Sequence, residues 1–190
     1  MKNKFLIYYI FIEELNEIII KNILILKNKK YRLNIITSNK NIYQISKFAK
    51  ISKIPFYVID NIKSAIKNYA SGVFLSGKNK SLSKNLINIS KLKVIGSAHS
   101  QQEYYIKKMQ NCETIMLSPI FFNKKYSYNK ILGPIKFNLI TLNWNCKVCA
   151  LGGIKLNNLK MINLTKVKAI SFMSLISNEE LKQKSPPTVK

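Results

Sequence analysis

Lys147-Val-Cys-Ala-Leu151, closed by Gly152-Gly153, and Ala169-Ile-Ser-Phe-Met173, closed by Ser174, are two short apolar runs that end in small or polar residues. Such a run, bounded by a turn signal, reads as a strand buried on both faces, the pattern of a parallel sheet. Working backward, the same unit recurs at Thr114 to Ser118, Lys93 to Gly96, Gly72 to Leu75, Phe56 to Asp60, Leu33 to Thr37 and Phe5 to Ile12, which makes eight predicted strands. Amphipathic segments lie between them. Asn41 to Ser52 repeats Ile42, Ile45, Phe48 and Ala49 at helical spacing, and Ile62 to Tyr69 and Gln101 to Gln110 behave similarly. Ile18 to Leu26 is apolar enough for either helix or strand, so the strand count could move by one there.

Eight strands in repeating βα order predict a closed (β/α)8 TIM barrel, compact and with short loops, in preference to an open doubly wound sheet. Residues 1–177 are expected to form this single domain. Residues 178–190 are expected to form a short terminal helix from Asn178 and a disordered tail through Ser185-Pro-Pro-Thr-Val-Lys190.

Apolar residues make up 47% of the 190, enough for a core without disulfides or metals. The net charge of +24 suggests a nucleic-acid binder at first sight. Against that, Arg32 is the only arginine among 32 basic residues, and the lysines punctuate the chain from Lys2 to Lys190 instead of clustering. Lys, Asn and Ile share A/T-rich codons, so compositional drift explains the charge without a nucleic-acid partner. Lysines around a pocket would still draw in phosphorylated small molecules. Cys112, Cys146 and Cys149 are too few for a disulfide framework, and a reducing cytoplasm fits them best. The C-x-x-C at Cys146 and Cys149 lies partly in a strand, where residues three apart face opposite ways, which argues against a metal knuckle. The basic, then apolar, start at Met1 to Ile12 has no small-residue cleavage site and meets Glu13-Glu14, so it reads as a first strand. No stretch reaches the ~18 uncharged apolar residues of a membrane span.

In barrels of this type chemistry sits at the strands' C-terminal ends. Those ends carry Asp60, Gly77, Ser97 with His99 and Ser100, Ser118-Pro119, Gly152-Gly153 and Ser174. Gly152 and Gly153 let backbone amides approach an anion, with further amides near Met173 and Ser174, although Gly-Gly also simply makes a tight turn. His99 is the single histidine and Asp60 the single aspartate. Asp60 could hold a divalent cation that bridges a diphosphate, but no second acid is near.

Four blocks follow in order: Val94-Ile-Gly-Ser-Ala-His-Ser100, Leu117-Ser-Pro-Ile-Phe121 running to Leu132-Gly133, Ala150-Leu-Gly-Gly-Ile154, and Ala169-Ile-Ser-Phe-Met-Ser-Leu-Ile176. With these spacings the chain resembles the thiamine phosphate synthase/TenI family from about Pro55 to Ile176, and only faintly before Pro55. The resemblance implies a synthase that couples hydroxymethylpyrimidine diphosphate to thiazole phosphate and releases pyrophosphate with the help of Mg2+. It implies that Gly152, Gly153, Met173 and Ser174 hold the thiazole phosphate, that Ser97 lies beside the pyrimidine, and that Asp60 takes the metal position. Ser97, His99 and Lys125 are the candidate catalytic groups, His99 by its place at a strand end, and Ser118 and Asn123 are candidate substrate contacts.

The departures fall at one end. Ile59-Asp60 stands where the family has Asn-Asp, and Asn79 stands where it has a second acid. The Thr/Lys loop reads Asn123-Lys124-Lys125-Tyr126, and the Gln-x-Arg pattern is not recognisable near Thr37. A TenI-like paralogue that binds a thiazole or thiamine phosphate without coupling is therefore the second expectation. A basic nucleic-acid binder is a remote third. The oligomeric state is not legible.

Overall fold

The computed structural model describes residues 7–29, 31–81, 91–124 and 126–172. Lys125, Met173, Ser174 and the expected terminal helix and tail lie outside the described residues.

Eight parallel strands close into a barrel in sequence order. They are β1 (Ile7–Phe11), β2 (Arg32–Thr37), β3 (Phe56–Ile59), β4 (Gly72–Leu75), β5 (Lys93–Ala98), β6 (Thr114–Leu117), β7 (Lys147–Leu151) and β8 (Ala169–Phe172). The pairing of β1 with β8, Ile7 opposite Ala169 through Ile10 opposite Phe172, completes the ring. The structure is the expected (β/α)8 TIM barrel. Two of the strand ends that differ from expectation bear on the candidate site. β5 runs on to Ala98, which puts Ser97 inside the strand. β3 stops at Ile59 because Asp60 turns into the left-handed region, φ 51°.

The ambiguous segment is a helix, Glu17–Asn28, so the strand count holds at eight. Asn16 decides it: its Oδ1 accepts the Ile19 N–H at 2.9 Å and caps the first turn. Ile19, Ile23 and Leu26 then face the sheet. The remaining described α-helices are Ile42–Ile51, Ile62–Lys67, Gln101–Met109 and Gly133–Thr141. After β7 the connection is a 3-10 helix, Leu159–Leu164.

Strand alternation divides the core in two. Tyr9, Ile36, Tyr57, Phe74, Ile95, Met116, Cys149 and Ala169 fill the barrel, while the alternate residues pack outward against the helices. Inside, Tyr9 meets Tyr57 edge-on at 6.1 Å and Phe11 meets Phe74 at 5.2 Å. Gly72 makes room for Tyr57: a Cβ there would lie 2.7 Å from the ring and 2.1 Å from the Lys93 carbonyl oxygen. The same alternation splits the C-x-x-C. Cys149 is inside the barrel and Cys146 packs on the outer layer. All three cysteines are free thiols, and burial raises Cys112 to about 12 and Cys146 to about 11. Among the described residues no helix is long and apolar enough to cross a membrane.

Candidate functional site

At the C-terminal end of β7 the chain turns on two positive-φ glycines, Gly152 at 95° and Gly153 at 69°. Glycine is required at both. A Cβ on Gly152 would sit 3.0 Å from Pro119, and one on Gly153 would sit 2.4 Å from the Phe121 carbonyl oxygen. The closeness comes from stitching between neighbouring corners: the Ile120 N–H donates to Leu151 O at 3.0 Å and the Phe121 N–H to Gly152 O at 3.1 Å. The loop from β6 is closed at its far end by Leu132 N–H to Pro119 O (3.1 Å) and Gly133 N–H to Ile120 O (2.9 Å). Asn158 completes the corner. Its Nδ2 donates to Gly153 O at 2.8 Å and its Oδ1 accepts the Lys155 N–H at 2.9 Å.

In these contacts the carbonyls are engaged. Among the described residues, the N–H groups of Gly152 and Gly153 donate to no backbone acceptor outside the strand ladder. They border a cavity of about 340 Å³ with Ser118, Asn123, Ser171 and Phe172 in its wall, and Lys124 and Lys155 line it as well. β7 and β8 are paired up to Leu151 opposite Ser171, so the C-terminal ends of the two strands lie side by side. Donor amides, two ammonium groups and no acid in the lining suit an anion.

Across the mouth, β5 and β6 present Ser97, His99 and Ser118. Ser97 is buried, in alternation with Ile95, on the inner face of β5. The His99 ring lies with Nδ1 3.0 Å from Ser118 O and 3.1 Å from Ser118 Oγ. A carbonyl only accepts, so the bond to Ser118 O puts the proton on Nδ1 and leaves Nε2 as an acceptor. The His99 N–H donates to Glu103 Oε2 at 2.8 Å, and Ser100 Oγ caps the same helix by accepting the Glu103 N–H at 3.2 Å. The Tyr126 ring leans over the imidazole at 5.6 Å.

The β3–β4 side is built from side chains that hold one another. Asp60 Oδ1 accepts the Ser76 N–H at 2.9 Å and Asn79 Nδ2 at 2.8 Å. Thus Asn79 does meet Asp60, as a hydrogen-bond donor. Beneath them Lys107 is completely buried. Its Nζ donates to Ser76 O (2.6 Å), Asn79 O (2.7 Å) and Gln110 Oε1 (2.9 Å). Burial lowers its pKa, against the opposing pull of Cys112, Asp60 and Glu103.

No group of three His, Cys, Asp or Glu converges among the described residues. One oxygen of Asp60 is occupied by two donors, and the other is the carboxylate atom left for a cation. That donor set fits a Mg2+ that takes its other ligands from a diphosphate and water, and it does not fit a preformed protein cage.

The structure therefore brings Ser118, Asn123, Gly152 and Gly153 around one cavity, and sets Ser97, His99 and Asp60 along the neighbouring strand ends. Sequence reasoning missed Lys155, Tyr126, Glu103 and Lys107. The Ser100-x-x-Glu103 capping pattern was a usable signal for Glu103. A wider depression of about 840 Å³, lined by Lys47, Lys50, Lys53 and Lys67 with Tyr43 and Tyr69, lies at the N-terminal ends of β3 and β4. That is the face where barrels carry stability and not chemistry.

Known proteins resemble the chain in sequence and in fold. The chain is 29% identical over 155 residues to the thiamine-phosphate synthase of Prochlorococcus marinus, a stretch that is 80% of this chain and 45% of that protein. It is 29% identical over 132 residues to the thiamine-phosphate synthase of Flavobacterium psychrophilum, covering 66% of this chain and 64% of the relative. The chain thus spans about half to two thirds of the length of these relatives. Among solved structures, a thiamine phosphate pyrophosphorylase from Pyrococcus furiosus superposes with a TM-score of 0.73 over 95% of this chain and 92% of the other, at 20% identity. A 4-hydroxy-2-oxoglutarate aldolase superposes at 0.69 with 10% identity over 95% of this chain and 88% of that one, a likeness of fold alone. The family described as thiamine monophosphate synthase matches residues 10–176, a span that begins well before Pro55. Its reach across nearly the whole barrel makes the chain a member of the thiamine monophosphate synthase family.

Proposed function

We propose that this protein acts in the cytoplasm in thiamine biosynthesis, as a thiamine phosphate synthase that couples hydroxymethylpyrimidine diphosphate with thiazole phosphate and releases pyrophosphate. The observation that carries the reading is the cavity beyond β6 and β7, which Gly152 and Gly153 line together with Lys124 and Lys155, and where among the described residues neither glycine N–H donates to a backbone acceptor outside the strand ladder. A phosphate monoester dianion takes N–H donors of this kind, supported by nearby ammonium charge. Met173, Ser174 and Lys125 extend the same assignment beyond the described residues, the first two to the phosphate and Lys125 to the diphosphate. Asn123 and Ser118, in the wall of the cavity, are assigned to substrate contact.

The pyrimidine is assigned to the Ser97 side. There Ser97 offers a buried hydroxyl and His99, fixed by Ser118, offers Nε2 as an acceptor. Asp60 would hold Mg2+ jointly with the diphosphate. When bound, the ion neutralises charge on the departing diphosphate. The residues of this chain do the rest by positioning: one end fixes the thiazole phosphate, the other fixes the pyrimidine, and the barrel sets their separation. Purified protein given both substrates and Mg2+ should release pyrophosphate and form thiamine phosphate. Absence of turnover with a folded protein would remove the synthase reading and leave the fold.

One observation favours a TenI-like binder that does not couple the two halves. Asn79 gives an amide to Asp60 in place of a second carboxylate. That reading expects thiazole phosphate to bind in calorimetry with the same affinity with or without Mg2+, and no pyrophosphate to bind in either condition.

A further inference from the structure

Lys107 is the largest fully buried side chain among the described residues, and the reading above gives it no task. An ammonium removed from water needs an acceptor for every proton, and this one has three. All three are uncharged oxygens, so no carboxylate sits in its own hydrogen-bond shell. Two belong to the segment that follows β4, and Gln110 grips the same segment through Nε2 to Asn79 O (3.1 Å) and Ser81 O (2.7 Å). That segment supplies the Ser76 N–H and Asn79 Nδ2 that hold Asp60. Packing alone does not ask for a lysine. The position lies on the buried face of Gln101–Met109 beside Tyr104, with the Lys107 stem over Gly96, where an apolar side chain of like length would fill the space.

We propose that Lys107 is a positioning residue of the diphosphate end: its ammonium fixes the segment 76–81, and through it Asp60, and sets a positive charge behind the rim. The proposal deepens the synthase reading and rests on it. Asp60 Oδ1 is already engaged by two donors, so a buried cation adds attraction for a polyanion that magnesium alone would otherwise carry, and burial strengthens that field.

The test is Lys107→Met, with Gln110→Leu as a milder break in the same contacts, to be used should Lys107→Met fail to fold. Amide hydrogen exchange is followed over residues 76–81 and 150–155, and calorimetry measures pyrophosphate with Mg2+ and, separately, thiazole phosphate. Faster exchange in 76–81 alone, with pyrophosphate about tenfold weaker and thiazole phosphate unchanged, is the expected result. A folded variant with unaltered exchange in 76–81 or unaltered pyrophosphate affinity overturns the proposal and leaves the synthase reading standing. Wild-type protein that binds neither ligand overturns the synthase reading and this proposal with it.

Discussion

On the β6–β8 side of the barrel mouth the corner is shaped by two positive-φ glycines, where a Cβ would collide with Pro119 or Phe121. On the β3–β5 side the groups are held by side-chain hydrogen bonds: Asp60 by Asn79, the 76–81 backbone by Lys107 and Gln110, His99 to Ser118. Backbone geometry tolerates drift in most side chains, so a corner built on it can persist in a sequence crowded with Lys, Asn and Ile. A side-chain network can change partners one residue at a time, and Asn79, where the resemblance implies an acid, donates an amide to Asp60.

Gly153→Ala should do the most damage, because a positive φ and a 2.4 Å approach to Phe121 O combine. A loss of about 3 kcal/mol in denaturant unfolding is expected, with phosphate binding abolished. A stable variant that still binds thiazole phosphate would break the claim that backbone governs this corner.

Asp60→Asn is expected to lower Mg2+-dependent turnover by about a hundredfold while thiazole phosphate affinity stays as it was. Equal losses at both ends would mean that the two sides are not separable. Asn79→Asp sharpens the contrast from the other direction. A second carboxylate beside Asp60 should lower the Mg2+ concentration for half-maximal activity by about tenfold, and an unchanged requirement would take Asn79 away from the cation position.

His99→Asn should have the smallest effect, a fall in kcat/KM of about fivefold, the worth of one neutral hydrogen bond. A far larger fall, with a pH profile that loses one limb, would instead assign proton transfer to the imidazole.

Much of the fold was legible because both faces of each strand are buried, which leaves continuous apolar runs such as Thr114–Leu117 and Gly72–Leu75. The strand-end rule picked out Asp60, His99, Ser118 and Gly152-Gly153, which follow the ends of β3, β5, β6 and β7, whereas Ser97 lies within β5. The helix Gly133–Thr141 escaped because its apolar residues run around it without a clear stripe, and Ile18–Leu26 was settled only by its Asn16 cap. Lys107 escaped for a different reason. Any pattern template scores lysine as a solvent-facing residue, and nothing local reveals that Ser76 and Asn79, some thirty residues away, will surround its ammonium.

The sequence by itself determined the order of most strands, the rim that carries the candidate residues and the glycine turn after β7, because these follow from local periodicity and backbone conformation. Tertiary structure alone decided which groups meet: that the β6 loop presses its carbonyls on Gly153, that Asn79 donates to Asp60, and that a lysine is buried beneath them. Barrel closure makes those contacts. It brings distant strand ends within hydrogen-bond range, and no spacing along the chain records that distance.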